Sequence, residues 1–318
     1  MSVVKNISLP SVIRTERLHT VIWIPQKEVK AVLQIVHGMV EYIERYEPFA
    51  AYLNKSGIAV IGHDQLGHGY TAKEEKDLGF FCEKDGDRAV IFDIHQVTTY
   101  AKKQFPNVPF FLMGHSMGSF FVRNYMMKFG KELDGVILMG TGYHCLPEAR
   151  LGELLASGLI QLFGSHYRSR FIDQVVLGSY NRKFAPCRTE ADWISSDRTT
   201  VDRYLADRFC TFKFTAGAYR DFFRVLVRVA SYKNMERIPK NLPIYLVSGQ
   251  EDPVGNFGVG VKKLYDQFKR VGIQDINMTL FPGARHELLN EKQREIVFAY
   301  LKKWLNIHIK TETTKEEL

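Results

Sequence analysis

The segment PFFLMGHSMGSFFVRNYMMKF (residues 109–129) decides the reading of this chain. It opens as an apolar run of strand character, passes through Gly114-His115-Ser116-Met117-Gly118, and continues as an amphipathic helix. A Gly-x-Ser-x-Gly motif carries little information alone, but between a strand and a helix it has a mechanical meaning. The turn is so tight that a Cβ at either glycine would collide with neighbouring backbone. The serine hydroxyl is lifted clear of the sheet, and the next amide, Met117 N–H, lies at a helix N-terminus facing the same space. Ser116 is therefore the candidate nucleophile, and the Met117 amide a candidate oxyanion donor.

Working outward, short apolar runs recur at residues 18–25, 31–38, 58–64, 135–142, 243–249 and 276–283. Several are apolar almost throughout, as strands buried on both faces of a parallel sheet must be. Helical stretches fall between them, at about 45–56, 84–104, 117–130, 257–271 and 287–308. The alternation predicts an α/β fold, a mostly parallel sheet flanked by helices, and the two N-terminal runs read as an antiparallel start. The alternation breaks between residues 145 and 240, where apolar positions keep helical period and no buried strand is evident. This predicts a helical cap at 145–240 inserted into a core made of residues 1–144 and 241–318.

A serine hydroxyl is a poor nucleophile at neutral pH and needs a general base that is itself oriented by a carboxylate. On such a strand–turn–helix the partners follow in the order Ser, acid, His, each just after a strand. After YLVSG come Glu251 and Asp252; the Asp252-Pro253 step favours a turn that directs Asp252, with Glu251 as the alternative acid. After MTLFPG comes His286, the one histidine that follows a late strand. A second oxyanion donor belongs in an early strand–helix loop, and the segment IVHGMVEYIERY offers the amide of Met39. His37, His63, His68 and His115 also flank strand ends, where they read as holding loop backbone, while His308 lies on the terminal helix.

Composition sets outer bounds. The chain has 318 residues, 45% hydrophobic and 25% charged, with 24 Gly and 11 Pro, which excludes disordered and collagen-like classes. Its four cysteines are far apart and form no metal-ligand spacing, so reduced thiols and no metal site are expected. The start lacks a signal-peptide core, and no window approaches the ~20 apolar residues of a span, so a soluble, cytoplasmic protein is expected. The net charge is +8, and the cap alone carries 16 Lys and Arg against 10 Asp and Glu. No nucleic-acid motif accompanies that charge. A basic, aromatic-rich cap fits either an anionic membrane surface or a solvated helical face. The polar tail KTETTKEEL (310–318) reads as frayed, and oligomeric state is not legible.

With these pieces assembled, the chain resembles α/β-hydrolases of the monoacylglycerol lipase and lysophospholipase type, grouped with serine aminopeptidase-like hydrolases. The resemblance rests on HGMVEYIERY (37–46), GHDQLGHGYT (62–71), FFLMGHSMGS (110–119), SGQEDPVG (248–255) and GARHELLNE (283–291). It implies an α/β-hydrolase fold with an inserted cap and hydrolysis of a single-acyl-chain lipid ester, or another medium-sized ester. The triad would be Ser116, Asp252 and His286, acting through an acyl-enzyme without metal or organic cofactor. It also places Glu41 and Arg45 at the substrate's polar head; without it, they read as an i,i+4 surface pair. His115, by its strand-end position beside Ser116, is a further candidate to line the site. The chain departs from the pattern at Thr71, at Ser119, and at Leu289, where mammalian-type monoacylglycerol lipases carry a second histidine. In the cap, Trp193, Phe209, Phe212, Phe214, Tyr219, Phe222 and Phe223 suit either an acyl-chain pocket or the cap's own core. An amidase of the same fold and a non-catalytic receptor on it are the alternative readings.

Overall fold

Every residue of five successive short strands is buried: β3 (Ala31–Val36), β4 (Ile58–His63), β5 (Phe110–His115), β6 (Gly135–Met139) and β7 (Ile244–Gly249). These are the near-continuous apolar runs of the sequence, and burial on both faces is what such runs require. The computed structural model describes residues 2–313. Among them the strands form one sheet in the order β1-β2-β4-β3-β5-β6-β7-β8, completed by β1 (Ser2–Pro10), β2 (Arg17–Pro25) and β8 (Ile276–Phe281). From β4 to β8 all neighbours are parallel, while β1 pairs antiparallel with β2, and β2 with β4.

Two expectations are corrected here. The sequence showed no strand before residue 17, yet β1 runs beside β2 over its full length. It is an edge strand with mostly exposed or half-buried side chains, so it lacks the apolar signature of its neighbours. The second concerns the antiparallel start, which does not join β2 to β3. Both edges of β3 are taken by parallel partners, β4 and β5, and β2 instead pairs with the far edge of β4.

Side-chain alternation along each strand feeds two cores. On β5, Phe110 and Leu112 face one side, with α2 (Gly86–Gln104), α3 (Met117–Phe129) and α9 (Val259–Arg270) packed there. Phe111 and Met113 face the other, against α1 (Glu47–Asn54) and α10 (Arg294–Thr313). Each such fully buried side chain contributes about 1.5–3 kcal/mol. Helix α10 runs into the segment read as a frayed tail; residues 314–318 of that tail lie outside the described residues.

Between β6 and β7 the chain is helical: α4 (Leu146–Phe163), α5 (Arg170–Leu177), α6 (Arg198–Ala206), α7 (Ala216–Ala230) and α8 (Tyr232–Met235). Helix α7 is the central one, with ten buried residues and a Thr215 N-cap whose side chain accepts from Ala218 N–H. Gly152 on α4 faces it so closely that a Cβ would lie 2.4 Å from the Phe223 ring. Buried Arg123 on α3 donates to the carbonyls of Gly142 and Val229, fastening the end of α7 to the loop after β6.

Three histidines that end strands or line loops are wholly buried, and burial pushes His37 and His63 down to about 3 and His68 to about 4, from an ordinary value of 6.5. His37 also accepts from the Gln65 amide at 2.9 Å, consistent with a loop-holding role. Because the folded state refuses protons that the unfolded chain takes up, stability is full above pH 6.5. It is lost as pH falls through the window from there to 3–4, by about 1.4 kcal/mol per pH unit for each group. Thermal melts should therefore show a clear drop in Tm between pH 7 and pH 5; equal values would contradict the neutral burial of these rings.

Candidate active site

Ser116 sits between β5 and α3 with φ 50° and ψ −124°, a left-handed backbone that non-glycine residues rarely adopt. Its flanking glycines are sterically required. A Cβ on Gly114 would lie 2.6 Å from the Gly118 carbonyl, and one on Gly118 would lie 2.2 Å from that of Val36. The turn is held by Ser116 N–H donating to Met139 O at 2.9 Å, and by both the amide and the hydroxyl of Ser119 donating to Ser116 O. Ser119, read in the sequence only as a departure from glycine, thus closes the elbow.

Asp252 follows β7 and is fully buried, whereas Glu251 is exposed. Both carboxylate oxygens of Asp252 lie 3.0 Å from His286 Nδ1, and they also accept from Val254 N–H at 2.9 Å and Ser248 Oγ at 3.2 Å. His286 follows β8, and its ring packs between those of His115 and Trp193, at 4.8 and 5.0 Å. Ser116, His286, Met39 and Met117 line one cavity of about 430 Å³. Among the described residues the amides of Met39 and Met117 have no acceptor, so both donors remain for a ligand. No hydrogen bond joins the Ser116 hydroxyl to His286 there; catalytic contacts of this kind commonly tighten when substrate fills the site.

Glu41 organises the polar wall. Its Oε1 accepts from Gly38 N–H at 2.5 Å, from Tyr46 OH at 3.0 Å, and meets His115 Nδ1 at 2.7 Å. Burial opposes its charge, but His115 and Arg45 outweigh that and hold the carboxyl well below its usual range. Burial likewise disfavours a charged His115, yet Glu41 raises it, so the two form a buried ion pair. Arg45 is not an exposed partner of Glu41, nor does it line the cavity. Its guanidinium is taken by Glu287 through two 2.7 Å contacts, touches Glu41 at 3.4 Å, and lies over the Tyr204 ring. Glu287, next to His286, lines the cavity and was missed by sequence reading; an acid directly after the candidate base was the available signal.

Of the cap aromatics, Trp193, Phe222 and Phe223 line the cavity, while Phe209, Phe212, Phe214 and Tyr219 do not. Phe214 packs with Phe81 and His68 instead. Most of the remaining wall is apolar, including Leu151, Leu155, Val176 and Leu226, and it contains three carboxylates but no Lys or Arg. Elsewhere, His19, Glu44 and Asp64 lie close enough to share a cation. Those groups already have partners: His19 meets Glu44 at 2.6 Å, and Asp64 accepts from the amides of Ile43 and Tyr70.

The mostly parallel sheet, its flanking helices and the strained serine turn define an α/β-hydrolase. Residues 27–293 match the model of the serine aminopeptidase S33 family, and the chain belongs to that family of hydrolases. It is 35% identical over 292 residues to a monoglyceride lipase homolog of monkeypox virus, covering 91% of this chain and 94% of the relative. A monoacylglycerol lipase of Mycolicibacterium smegmatis is 24% identical over 295 residues, 91% and 92% of the two chains. Among solved structures, a thermostable carboxyl esterase from Bacillus coagulans in complex with glycerol superposes with a TM-score of 0.90 at 27% identity. That alignment covers 97% of this chain and all of the other.

Removing the Glu41 carboxylate should leave His115 and Arg45 as incompletely compensated buried charges. Glu41→Ala is expected to lose about 3–5 kcal/mol in urea unfolding, with Glu41→Gln losing less; a loss under 1 kcal/mol for Glu41→Ala would contradict the ion-pair assignment.

Proposed function

We propose that the protein is a serine carboxylester hydrolase that cleaves an uncharged single-acyl-chain lipid ester of the monoacylglycerol type. The observation that carries this reading is the cavity itself: an apolar wall of acyl-chain character meeting carboxylates, with no Lys or Arg to receive a phosphate and with His115 already paired with Glu41. Arg45, just behind the polar end, is already paired with Glu287. That disfavours anionic lysophospholipids, and the absence of a second histidine at Leu289 leaves Glu41, His115 and Glu287 as the groups that would face a glycerol head. The esterase and lipase names of the relatives agree with ester chemistry.

In this mechanism His286 takes the Ser116 proton as the hydroxyl attacks the ester carbonyl, and Asp252 holds the ring through Nδ1 and stabilises its charged form. The amides of Met39 and Met117 stabilise the oxyanion. The alcohol leaves with the proton from His286, forming an acyl-enzyme. Water then attacks that ester with the same base, releasing the fatty acid and restoring Ser116. Each step rests on this chain's own side chains and amides. The amidase reading draws on one observation, that Glu148 of α4 lies at the cavity and could meet a free α-amine. Turnover of prolyl anilides at rates rivalling acyl esters would favour it.

Purified protein should hydrolyse a medium-chain monoacylglycerol with kcat/KM at least tenfold above that for the matching lysophosphatidate. Ser116→Ala and Asp252→Asn should lower kcat by about 10⁴-fold. Equal rates on the two head groups would refute the head-group assignment, and full activity in Ser116→Ala would refute the mechanism.

Residues 145–240 act in this reading as a cap that meets lipid. Among the described residues no helix is long and apolar enough to cross a membrane. Instead α4 and α5 expose Leu151, Leu154, Leu162, Phe163, Phe171 and Val175, with Leu162 at 75%, and Leu151 and Val175 reach the cavity. Apolar side chains left in water beside a lipid-shaped cavity are suited to a membrane surface. Vesicle co-sedimentation should show binding that weakens with salt on anionic lipid and falls severalfold in Leu154→Glu/Leu162→Glu. Unchanged binding in the double variant would retire this role.

A further inference from the structure

The loop that carries His286 is fastened to the cap, not only to the sheet. The main chain is tied on both sides of the histidine: Arg285 N–H donates to Glu291 Oε1 at 2.8 Å, and Glu287 N–H donates to Ile194 O at 2.8 Å. Glu291 also accepts from Ser196 N–H at 2.8 Å through Oε1 and from Ser196 Oγ at 2.6 Å through Oε2, and Lys292 N–H adds a weaker bond at 3.3 Å. Further contacts join the same two segments. Arg285 Nη1 donates to the carbonyls of Asp192 and Ser195, and Thr200 Oγ1 donates to Asn290 O.

Glu291 is 2% exposed, and amides and a hydroxyl satisfy it without a basic side chain among the described residues. A buried carboxylate in that setting is costly unless its hydrogen bonds are all made. Its bonds converge on two things, the residue before His286 and the cap segment whose Trp193 packs on the imidazole. We propose that Glu291 is a positioning residue: by fastening Ser196 of the cap to the His286 loop, it holds the imidazole at the angle that proton transfer needs. The half of the cap near Trp193 then moves with the base, leaving the exposed α4–α5 half as the part free to yield to substrate.

This proposal rests on the reading of Ser116 and His286 as nucleophile and base, so the test carries its own reference variants. On an uncharged p-nitrophenyl ester, Ser116→Ala and His286→Ala report on the mechanism; if either keeps full activity, that reading fails first. With both inactive, Glu291→Ala should lower kcat by about 10- to 100-fold while KM changes less than threefold. Glu291→Gln should stay within about threefold of wild type, because its carbonyl oxygen still accepts the Arg285 and Ser196 amides and its NH₂ can donate to a rotated Ser196 hydroxyl, with only the weaker Lys292 bond lost. Ser196→Ala, which removes only the hydroxyl contact, should lower kcat about three- to tenfold. Wild-type kcat in a folded Glu291→Ala overturns the proposal, as does a Gln variant no better than Ala. Should Glu291→Ala not fold, wild-type kcat in Ser196→Ala overturns it.

Discussion

The strained turn at Ser116 is the constraint on which the rest of the site depends. A residue held at φ 50° costs on the order of 1–3 kcal/mol, and it persists only because its surroundings leave no alternative. Here the constraint comes from close backbone approach. Gly118 lies against the carbonyls of Val36 and His37, and Gly114 lies against the first turn of α3. These contacts exist because β3 and β5 are adjacent parallel strands, so the loops leaving their C-terminal ends must meet. The same adjacency brings the Met39 and Met117 amides to one cavity. In the proposed mechanism, sheet order thus sets these two amides in place before any substrate is present, which is the preorganisation that oxyanion stabilisation needs.

A second layer of the design is electrostatic. The cavity's polar end contains Glu41, His115 and Glu287, with Arg45 just behind, and the charges are paired with one another: Glu41 with His115, Arg45 with Glu287. Glu41 also holds Gly38, the residue before Met39, so the Gly38–Met39 loop and the ion pairs form one network. That network runs through Glu287 to the base loop, and from there through Glu291 to the cap.

Much of this was legible in the sequence, and the parts that were not share a physical reason. Five of the seven strands read from the sequence, β3 to β7, declared themselves because apolar residues on both faces leave no polar alternation to disguise them. The edge strand β1 had no such signature. The order Ser116, Asp252, His286 could be read because each residue follows a strand end, and a strand end is a local property. Arg45 could not be placed by spacing, since its fate depends on Glu287, far along the chain. Glu291 was silent for the same reason: its partner Ser196 lies 95 residues away, in the short stretch before α6. The cap aromatics show the limit most clearly. Trp193 and Phe223 face the cavity while Phe214 and Tyr219 face the core, and helical periodicity says only that both faces are apolar.

The central claim is that Ser116 is a nucleophile activated by His286 and Asp252. Labelling with a fluorophosphonate, followed by mass-spectrometric mapping of the adduct, tests it most directly, because the probe reports attack by the serine itself without reference to substrate choice. The account predicts a single adduct on Ser116, no labelling in Ser116→Ala, and labelling slowed by orders of magnitude in His286→Ala. An adduct on a different residue, or labelling of His286→Ala at the wild-type rate, would contradict it.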